Sequence, residues 1–112
     1  MSCQIKTLDC FDRQAKRLAR KHSSLSNDLG QLVAALRIDP TQGTSLGHGC
    51  YKIRLRIASK DKGKSGGVRV ITCVVSVAAE VYLLSIYDKS EQASISDAEL
   101  LALASEIPTI NS

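Results

Sequence analysis

The sequence predicts a small α+β domain in which an N-terminal helical hairpin packs on an antiparallel sheet, in the order β-α-α-β-β-β followed by a C-terminal helix. Two observations predict this class: apolar residues recur at helical spacing in the first 40 residues and at two-residue spacing after residue 50. A chain of 112 residues is long enough for one apolar core and too short for a second domain of useful size. We therefore expect residues 1–112 to form a single domain.

Two amphipathic helices are predicted before Pro40. A short apolar start around Ile5 precedes Asp9, a residue type that favours helix N-termini. Apolar stripes follow at helical spacing: Phe11, Ala15, Leu18 and Ala19, then Leu25, Leu29, Leu32, Val33 and Leu36. Ser23 and Ser24 separate the two segments, and Pro40 disfavours helix at the residue before it. The two helices are expected to form an amphipathic hairpin.

Three strands are predicted after residues 41–49, which contain three glycines and are expected to form a loop. The first strand alternates between an apolar and a basic face, with Tyr51, Ile53, Leu55 and Ile57 on one side and Lys52, Arg54 and Arg56 on the other. A glycine-rich basic segment, residues 59–67, leads to β-branched residues in 68–77. A tight turn at residues 79–80 then allows a third strand at 81–87, completing an antiparallel meander.

A last helix is predicted near the C-terminus. Ser96 and Glu99 have the spacing of a capping box, and an apolar stripe follows at Leu100, Leu103, Ala104 and Ile107. Pro108 is expected to stop this helix.

Composition excludes several classes of protein. The four cysteines, Cys3, Cys10, Cys50 and Cys73, have neither a Cys-x-x-Cys spacing nor a nearby histidine, so we expect buried thiols, with no metal site and no disulfide. No cofactor is expected. The N-terminus lacks the pattern of a secretory signal, and no apolar run approaches the roughly 20 residues of a membrane span. We therefore expect a cytoplasmic protein that does not contact membranes.

Positive charge is concentrated between residues 52 and 69. The net charge is +4, and this stretch alone holds seven cations opposed only by Asp61: Lys52, Arg54, Arg56, Lys60, Lys62, Lys64 and Arg69. Such a cluster is typical of a phosphate-binding surface, and we expect Arg56 and the three loop lysines, Lys60, Lys62 and Lys64, to contact RNA phosphates. Antiparallel pairing of the next strand would bring Arg69 to the same basic face, with Tyr87 and Lys89 within reach.

Converging cations suit phosphoryl chemistry, because fixed donors stabilise the charge that accumulates on phosphate oxygens in the transition state. RNA supplies its own nucleophile, the 2′-hydroxyl, so this reaction does not require a metal. His22 ends the first helix and His48 lies in the loop, so neither is well placed as the base. Clustered positive charge lowers the pKa of a neighbouring lysine or tyrosine, which predicts Lys52 or Tyr87 for that role. Alternatively, the ring of Tyr87 stacks on a displaced base.

Two polar residues have simpler predicted roles. His22 is expected to complement the negative end of its helix. Asp88 is interpreted as a loop residue.

Three segments, CYKIRLR at 50–56, SGGVRV at 65–70 and LLSIYDK at 83–89, resemble the RelE/HigB group of bacterial toxins in both residues and order. The resemblance covers most of the chain and implies the RelE-like fold. It also implies a ribosome-dependent endoribonuclease that cuts translated mRNA without metal and is silenced by a cognate antitoxin, either acidic or bearing a helix-turn-helix.

Site residues follow from the same resemblance. It implies that Lys52 and Arg54 are the basic pair of the strand, Arg69 the phosphate-holding arginine and Lys89 the basic residue after the last strand. Typical RelE members carry a tyrosine further into the tail, whereas this chain has none after Tyr87. The lysine-bearing loop is closer to that of the HigB-like branch.

Two other functions are compatible with this pattern. One is a ParE-like toxin that shares the architecture but inhibits DNA gyrase, which the basic set of Lys52, Arg54 and Arg69 disfavours. The other is a non-catalytic RNA-binding module that holds phosphates on the same face without cutting.

Overall fold

The computed structural model describes residues 3–59 and 67–108, and its elements follow the two sequence periods. In chain order these elements are β1 (Gln4–Thr7), α1 (Asp9–Lys21), α2 (Leu25–Ile38), β2 (Thr44–Gly47), β3 (Cys50–Leu55), β4 (Val68–Val75), a 3₁₀ turn (Ser76–Ala78), β5 (Glu80–Asp88) and α3 (Asp97–Ala104). The predicted α+β class, the N-terminal helical hairpin and the C-terminal helix are confirmed.

The helical hairpin covers one face of the sheet. Its predicted apolar stripes supply the buried residues of what we call the hairpin core: Phe11, Leu18, Leu25, Leu32 and Leu36 from the helices, with Ile53, Leu55, Ile57, Val68, Val70, Leu83 and Ile86 from the sheet side. Burying a leucine or phenylalanine side chain contributes about 1.5–3 kcal/mol, so this stripe-to-sheet contact holds the hairpin in place.

The sheet has the strand order β1-β5-β4-β3-β2, and it corrects the prediction in two ways. First, β1 pairs in parallel with β5, so the sheet is mixed and not wholly antiparallel. The helical hairpin carries the chain from β1 at one edge of the sheet to β2 at the other edge. The antiparallel strands that follow then bring β5 back beside β1 in the same direction. Such long-range pairing leaves no local pattern in four residues.

Second, residues 44–47 form the edge strand β2, although the sequence predicted a loop there. Thr44 pairs with Lys52 and Ser45 with Tyr51, followed by a register shift before Gly47. Backbone hydrogen bonds to β3, and not an alternating apolar pattern, therefore make this strand.

The β4–β5 connection and the last helix differ only in detail. The 3₁₀ turn begins at Ser76, three residues before the predicted turn at residues 79–80. Ala79 adopts a left-handed backbone with φ of 54° that returns the chain into β5. The capping box is present, because the Ser96 side chain accepts from Glu99 N–H while the Glu99 side chain accepts from Ser96 N–H. α3 ends at Ala104, before Pro108.

A second apolar cluster covers the opposite face of the sheet. This tail core consists of Leu8, Cys50, Ile71, Cys73, Val75, Tyr82, Leu84, Tyr87, Leu100 and Ile107. The chain after β5 thus packs on the face that the helical hairpin leaves open. β5 is consequently buried along all nine of its residues. Among the described helices, none is long and apolar enough to cross a membrane.

Two glycines give a matched test of the fold. A methyl group at Gly43, where φ is 101°, would lie 2.5 Å from the Lys52 carbonyl oxygen, whereas one at Gly30 in α2 would meet nothing within 4 Å. We expect Gly43→Ala to destabilise the protein by about 1–3 kcal/mol, because the left-handed backbone and the close approach both disfavour a side chain. Gly30→Ala should stabilise it by about 0.5–1 kcal/mol through helix propensity. Urea unfolding of both variants measures the difference, and equal effects would contradict this placement of β2.

Candidate functional site

The two faces of β3 separate apolar from basic side chains as predicted. Ile53 and Leu55 are buried in the hairpin core. Arg54 is exposed and Lys52 is half-buried, and both alternate onto the side of the sheet that holds the tail core. Arg56, just after the strand, is also exposed. The cations of this strand therefore lie at the edge of the tail core and not in the hairpin core.

Strand register brings three of the predicted site residues into one line. Arg69 pairs directly with Arg54 on one side and with Tyr87 on the other. Directly paired residues of antiparallel strands project from the same face. The Arg54–Arg69–Tyr87 row therefore crosses β3, β4 and β5. Lys52 occupies the neighbouring row, where it pairs with Ile71.

Two backbone hydrogen bonds show which of the strand pairs in this row are hydrogen-bonded pairs, and the type of pair determines how close the opposing side chains lie. Val74 N–H donates to Gly49 O and Lys89 N–H donates to Gly67 O, both at 2.9 Å. Counting along the strands from these bonds makes Arg54–Arg69 a non-hydrogen-bonded pair, the type in which opposing side chains lie closer together. Like charges directly opposite one another are unfavourable, and an anion between or above them relieves that repulsion.

Arg69 is held in the sheet and is only 8 % exposed. One guanidinium nitrogen lies 3.8 Å from where a side chain on Gly67 would begin. That distance is ordinary van der Waals contact, so it is the backbone φ of 101°, and not the space beside Arg69, that favours glycine at the start of β4. The guanidinium is placed by its surroundings before any ligand arrives.

Tyr87 is 2 % exposed, and its hydroxyl has no hydrogen-bond partner among the described residues. Burial raises the pKa of this phenol above its ordinary value of 10.0, and the opposing effect of Arg69 is smaller. The expectation that clustered positive charge lowers the pKa of Tyr87 is therefore wrong, because desolvation penalises the phenolate more than the guanidinium stabilises it. The phenol stays protonated at neutral pH.

The other predicted site residues are placed at the same end of the sheet or fall outside the described ranges. Lys89 follows β5 directly, is exposed, and is joined to Gly67 through its backbone. Lys60, Lys62 and Lys64 lie outside the described residues. The basic loop begins after Ser59, whose backbone N–H donates to Ser24 Oγ at 2.8 Å.

A buried ion cluster anchors the end of β5 beside the row. Asp88 is 1 % exposed and His22 is 6 % exposed, and His22 Nε2 lies 3.2 Å from Asp88 Oδ2. Lys21 Nζ reaches the same carboxylate oxygen at 3.2 Å, while Ser90 donates to the other oxygen from its backbone and its hydroxyl. Exposed Glu91 adds ion pairs to Arg17 and Lys21. These contacts fix the residue between Tyr87 and Lys89.

The carboxyl of Asp88 is strongly acidic in this setting. Burial by itself raises its pKa, but hydrogen bonds from Ser90, His22 and Lys21 together outweigh burial and hold the pKa well below the ordinary value of 3.8. The carboxylate is thus ionised throughout the physiological range. The prediction that Asp88 is a loop residue is wrong, since it ends β5.

Sequence reasoning missed the pairing of His22 with Asp88. Their positions differ by 66 residues, and neither lies in a motif that indicates a partner. His22 does lie at the end of α1 as expected, but it is buried against the end of β5. The only available signal was a histidine and an aspartate at the ends of elements that were both predicted to enter the core.

Comparison with known proteins gives a consistent family. The model of the RelE toxin of the RelE/RelB toxin–antitoxin system matches residues 10–109. A mutant of the E. coli toxin RelE in the free state superposes with a TM-score of 0.64 at 20 % identity, covering 91 % of this chain and 97 % of that one. The isolated E. coli RelE toxin gives 0.60 at 18 % identity over 93 % and 98 %. The intact E. coli RelBE toxin–antitoxin complex gives 0.50 at 21 % identity over 76 % and 94 %. At these identities the superpositions support the fold.

The ion cluster predicts a pH-dependent stability. Because the folded pKa of Asp88 is depressed, its carboxylate stabilises the fold above the unfolded pKa and loses that effect as pH falls through the folded value. We expect Asp88→Asn to cost about 1–3 kcal/mol at pH 7, since Lys21 and His22 lose a buried acceptor. The cost should shrink as pH drops below about 4, which urea unfolding across that range measures.

Glu91→Gln is the matched control. This substitution removes one acidic charge from the same cluster but at an exposed position, where water screens ion pairs. We expect little change in stability at any pH. An equal loss in both variants would mean that burial of Asp88 is not what stabilises the end of β5.

Proposed function

Because this chain belongs to the RelE toxin family, and is thereby a toxin of a toxin–antitoxin system, we propose that it is a ribosome-dependent endoribonuclease that cleaves mRNA during translation. It would act in the cytoplasm, where translating ribosomes are found. The observation that carries this proposal is the Arg54–Arg69–Tyr87 row, with Lys52 in the adjacent row. Two guanidinium groups and a phenol on one face supply the charge and the proton donor that phosphodiester cleavage needs.

The proposed reaction uses the nucleophile that RNA provides. The 2′-oxygen attacks the neighbouring phosphorus, the bond to the 5′-oxygen breaks, and a 2′,3′-cyclic phosphate and a 5′-hydroxyl result. Arg54 and Arg69 would hold the phosphate oxygens as negative charge accumulates on them. Lys89 would contact the phosphate from the end of β5, and Arg56 with Lys60, Lys62 and Lys64 would hold the flanking RNA backbone.

The raised pKa of Tyr87 favours a different proton step from the one that the sequence suggested. A phenol that keeps its proton at neutral pH is a donor, so Tyr87 would protonate the departing 5′-oxygen or hydrogen-bond the phosphate. Lys52 is then the remaining candidate to accept the proton of the 2′-hydroxyl. Tyr87 is buried in the tail core, so substrate would reach its hydroxyl only after the chain following β5 moves.

An antitoxin is the proposed partner that silences this activity. The E. coli RelE protein forms a complex with an antitoxin, and the family membership supports the same kind of partner here. The exposed cations Arg54 and Arg56 favour an acidic segment, one that covers the basic face or displaces the C-terminal helix. An antitoxin that bears a helix-turn-helix is the other form of partner that the resemblance implies.

Loss of Arg54 or of Lys52 should reduce cleavage with little effect on folding. We expect Arg54→Ala and Lys52→Ala each to lower the rate of ribosomal mRNA cleavage by about a hundredfold, because the first removes a preorganised donor to the phosphate and the second removes the proposed proton acceptor. Arg37→Ala is the matched control, because Arg37 is an exposed arginine at the end of α2, on the opposite side of the sheet. The measurement is the mapping of new 5′ ends in a reconstituted translation reaction.

Three other outcomes would contradict the proposal. Growth arrest without new 5′ ends inside coding regions would remove the nuclease function. Arrest of replication before translation would indicate the ParE-like alternative. Ribosome binding with intact mRNA would indicate a non-catalytic RNA-binding module.

Tyr87→Phe separates the hydroxyl of this residue from its ring. The hydroxyl has no hydrogen-bond partner among the described residues, so its removal should leave the thermal stability unchanged or slightly higher. Cleavage should fall at least tenfold if the phenol donates a proton. Wild-type cleavage by this variant would exclude Tyr87 from the reaction and leave the cations as the only catalytic groups.

A further inference from the structure

Two thiols face each other within the tail core, outside the proposed catalytic row. Cys50 begins β3 and Cys73 lies in β4, and the strand register pairs them directly. Both carry free thiols and are 0 % and 1 % exposed, respectively. Cys50 shares its side of β3 with Lys52 and Arg54. The thiols thus belong to the strand pair that carries the basic row.

The pairing geometry of these two cysteines suits a covalent link. The bond from Val74 N–H to Gly49 O marks the adjacent pair as hydrogen-bonded, so Cys50–Cys73 is a non-hydrogen-bonded pair. In such pairs the Cα atoms lie about 4.5 Å apart, inside the range of about 4.4–6.8 Å that disulfides span. This separation is at the short end of that range, so a small outward adjustment of the two strands would suffice for the sulfurs to bond.

Both sulfurs approach one carbonyl oxygen. Cys50 Sγ lies 3.6 Å and Cys73 Sγ 4.0 Å from His48 O. The Cys73 thiol, together with burial, raises the pKa of Cys50, whereas Cys50 lowers the pKa of Cys73. Cys73 is therefore the sulfur that more readily becomes a thiolate. Thiolates, and not thiols, react with oxidants.

We propose that Cys50 and Cys73 form an oxidation site that closes to a disulfide when the protein meets hydrogen peroxide. The Cys73 sulfur attacks the peroxide, the O–O bond breaks, and a sulfenic acid and one water form. The Cys50 sulfur then displaces the hydroxyl of the sulfenic acid as a second water. Two thiols lose two hydrogens and two electrons, and hydrogen peroxide is reduced to two waters.

Access to the pair is through the edge of the sheet. The exposed turn Gly47–His48–Gly49 precedes Cys50, and all three of its residues have positive φ. β2 is a short edge strand with a register shift, so its opening needs few broken contacts. Buried thiols react slowly, and the reaction should therefore proceed at the rate of this local opening.

The disulfide would fasten β3 to β4 across a loop of roughly 24 residues that includes the basic segment. This loop closure restricts the unfolded chain and should raise thermal stability. The inference does not depend on the proposed nuclease activity, because its readouts are mass, thiol reactivity and melting temperature.

The test uses a Cys3→Ser, Cys10→Ser variant, in which only the pair remains. After treatment with hydrogen peroxide we expect a mass loss of about 2 Da, no alkylation of the unfolded protein, and a melting temperature higher by about 5 to 15 °C. A reducing phosphine should reverse all three changes. Peptide mapping of the oxidised wild-type chain should identify the same Cys50–Cys73 link.

The matched control adds Cys73→Ala to that variant, or Cys50→Ala if the first does not fold. The control should show neither the mass loss nor the stabilisation. Two outcomes would overturn the proposal: both thiols remaining open to alkylation after peroxide, or oxygen addition in place of the 2 Da loss. A wild-type link through Cys3 or Cys10 would do the same.

Discussion

The register between β3, β4 and β5 is the constraint on which the site depends. Side chains alternate along a strand, so a slip of one residue would move Arg54 and Arg69 to the face that the helical hairpin buries. The hairpin core prevents such a slip, because Ile53, Leu55 and Val70 would leave it at the same time. Apolar packing on one face thus fixes the position of charge on the other, and the backbone bonds at Gly49 and Gly67 hold the two ends of β4 in that register.

The same register explains which parts of the molecule the sequence could predict. The alternation in β3 and the stripes of α1 and α2 are local patterns, and the structure confirms them. The parallel pairing of β1 and the edge strand β2 depend on backbone hydrogen bonds to distant residues, which leave no local periodicity. The ion cluster at Asp88 was missed for the same reason, because its partner His22 is distant in the chain.

The electrostatic predictions made from the sequence agreed less well with the structure than the predictions of strands and helices did. Convergence of Arg69 and Tyr87 was expected from antiparallel pairing, and the register brings them together. The direction of the pKa shift at Tyr87 was not predicted correctly. It depends on burial of the ring by the tail core, and the sequence alone did not show that the chain after β5 covers this ring. A nearby cation lowers the pKa of a phenol, whereas burial away from water raises it, and the extent of burial is a property of the assembled fold.

Several features that weaken a fold meet in the Arg54–Arg69–Tyr87 row. Two arginines are directly opposite at the closer type of strand pair, and a buried hydroxyl nearby lacks a partner among the described residues. Each arrangement costs stability, yet the surrounding sheet is buried on both faces at β5 and can tolerate it. Local departures from favourable packing concentrate where a protein binds or reacts. Under the proposed function, a phosphate beside the exposed Arg54 would also accept a hydrogen bond from the Tyr87 phenol.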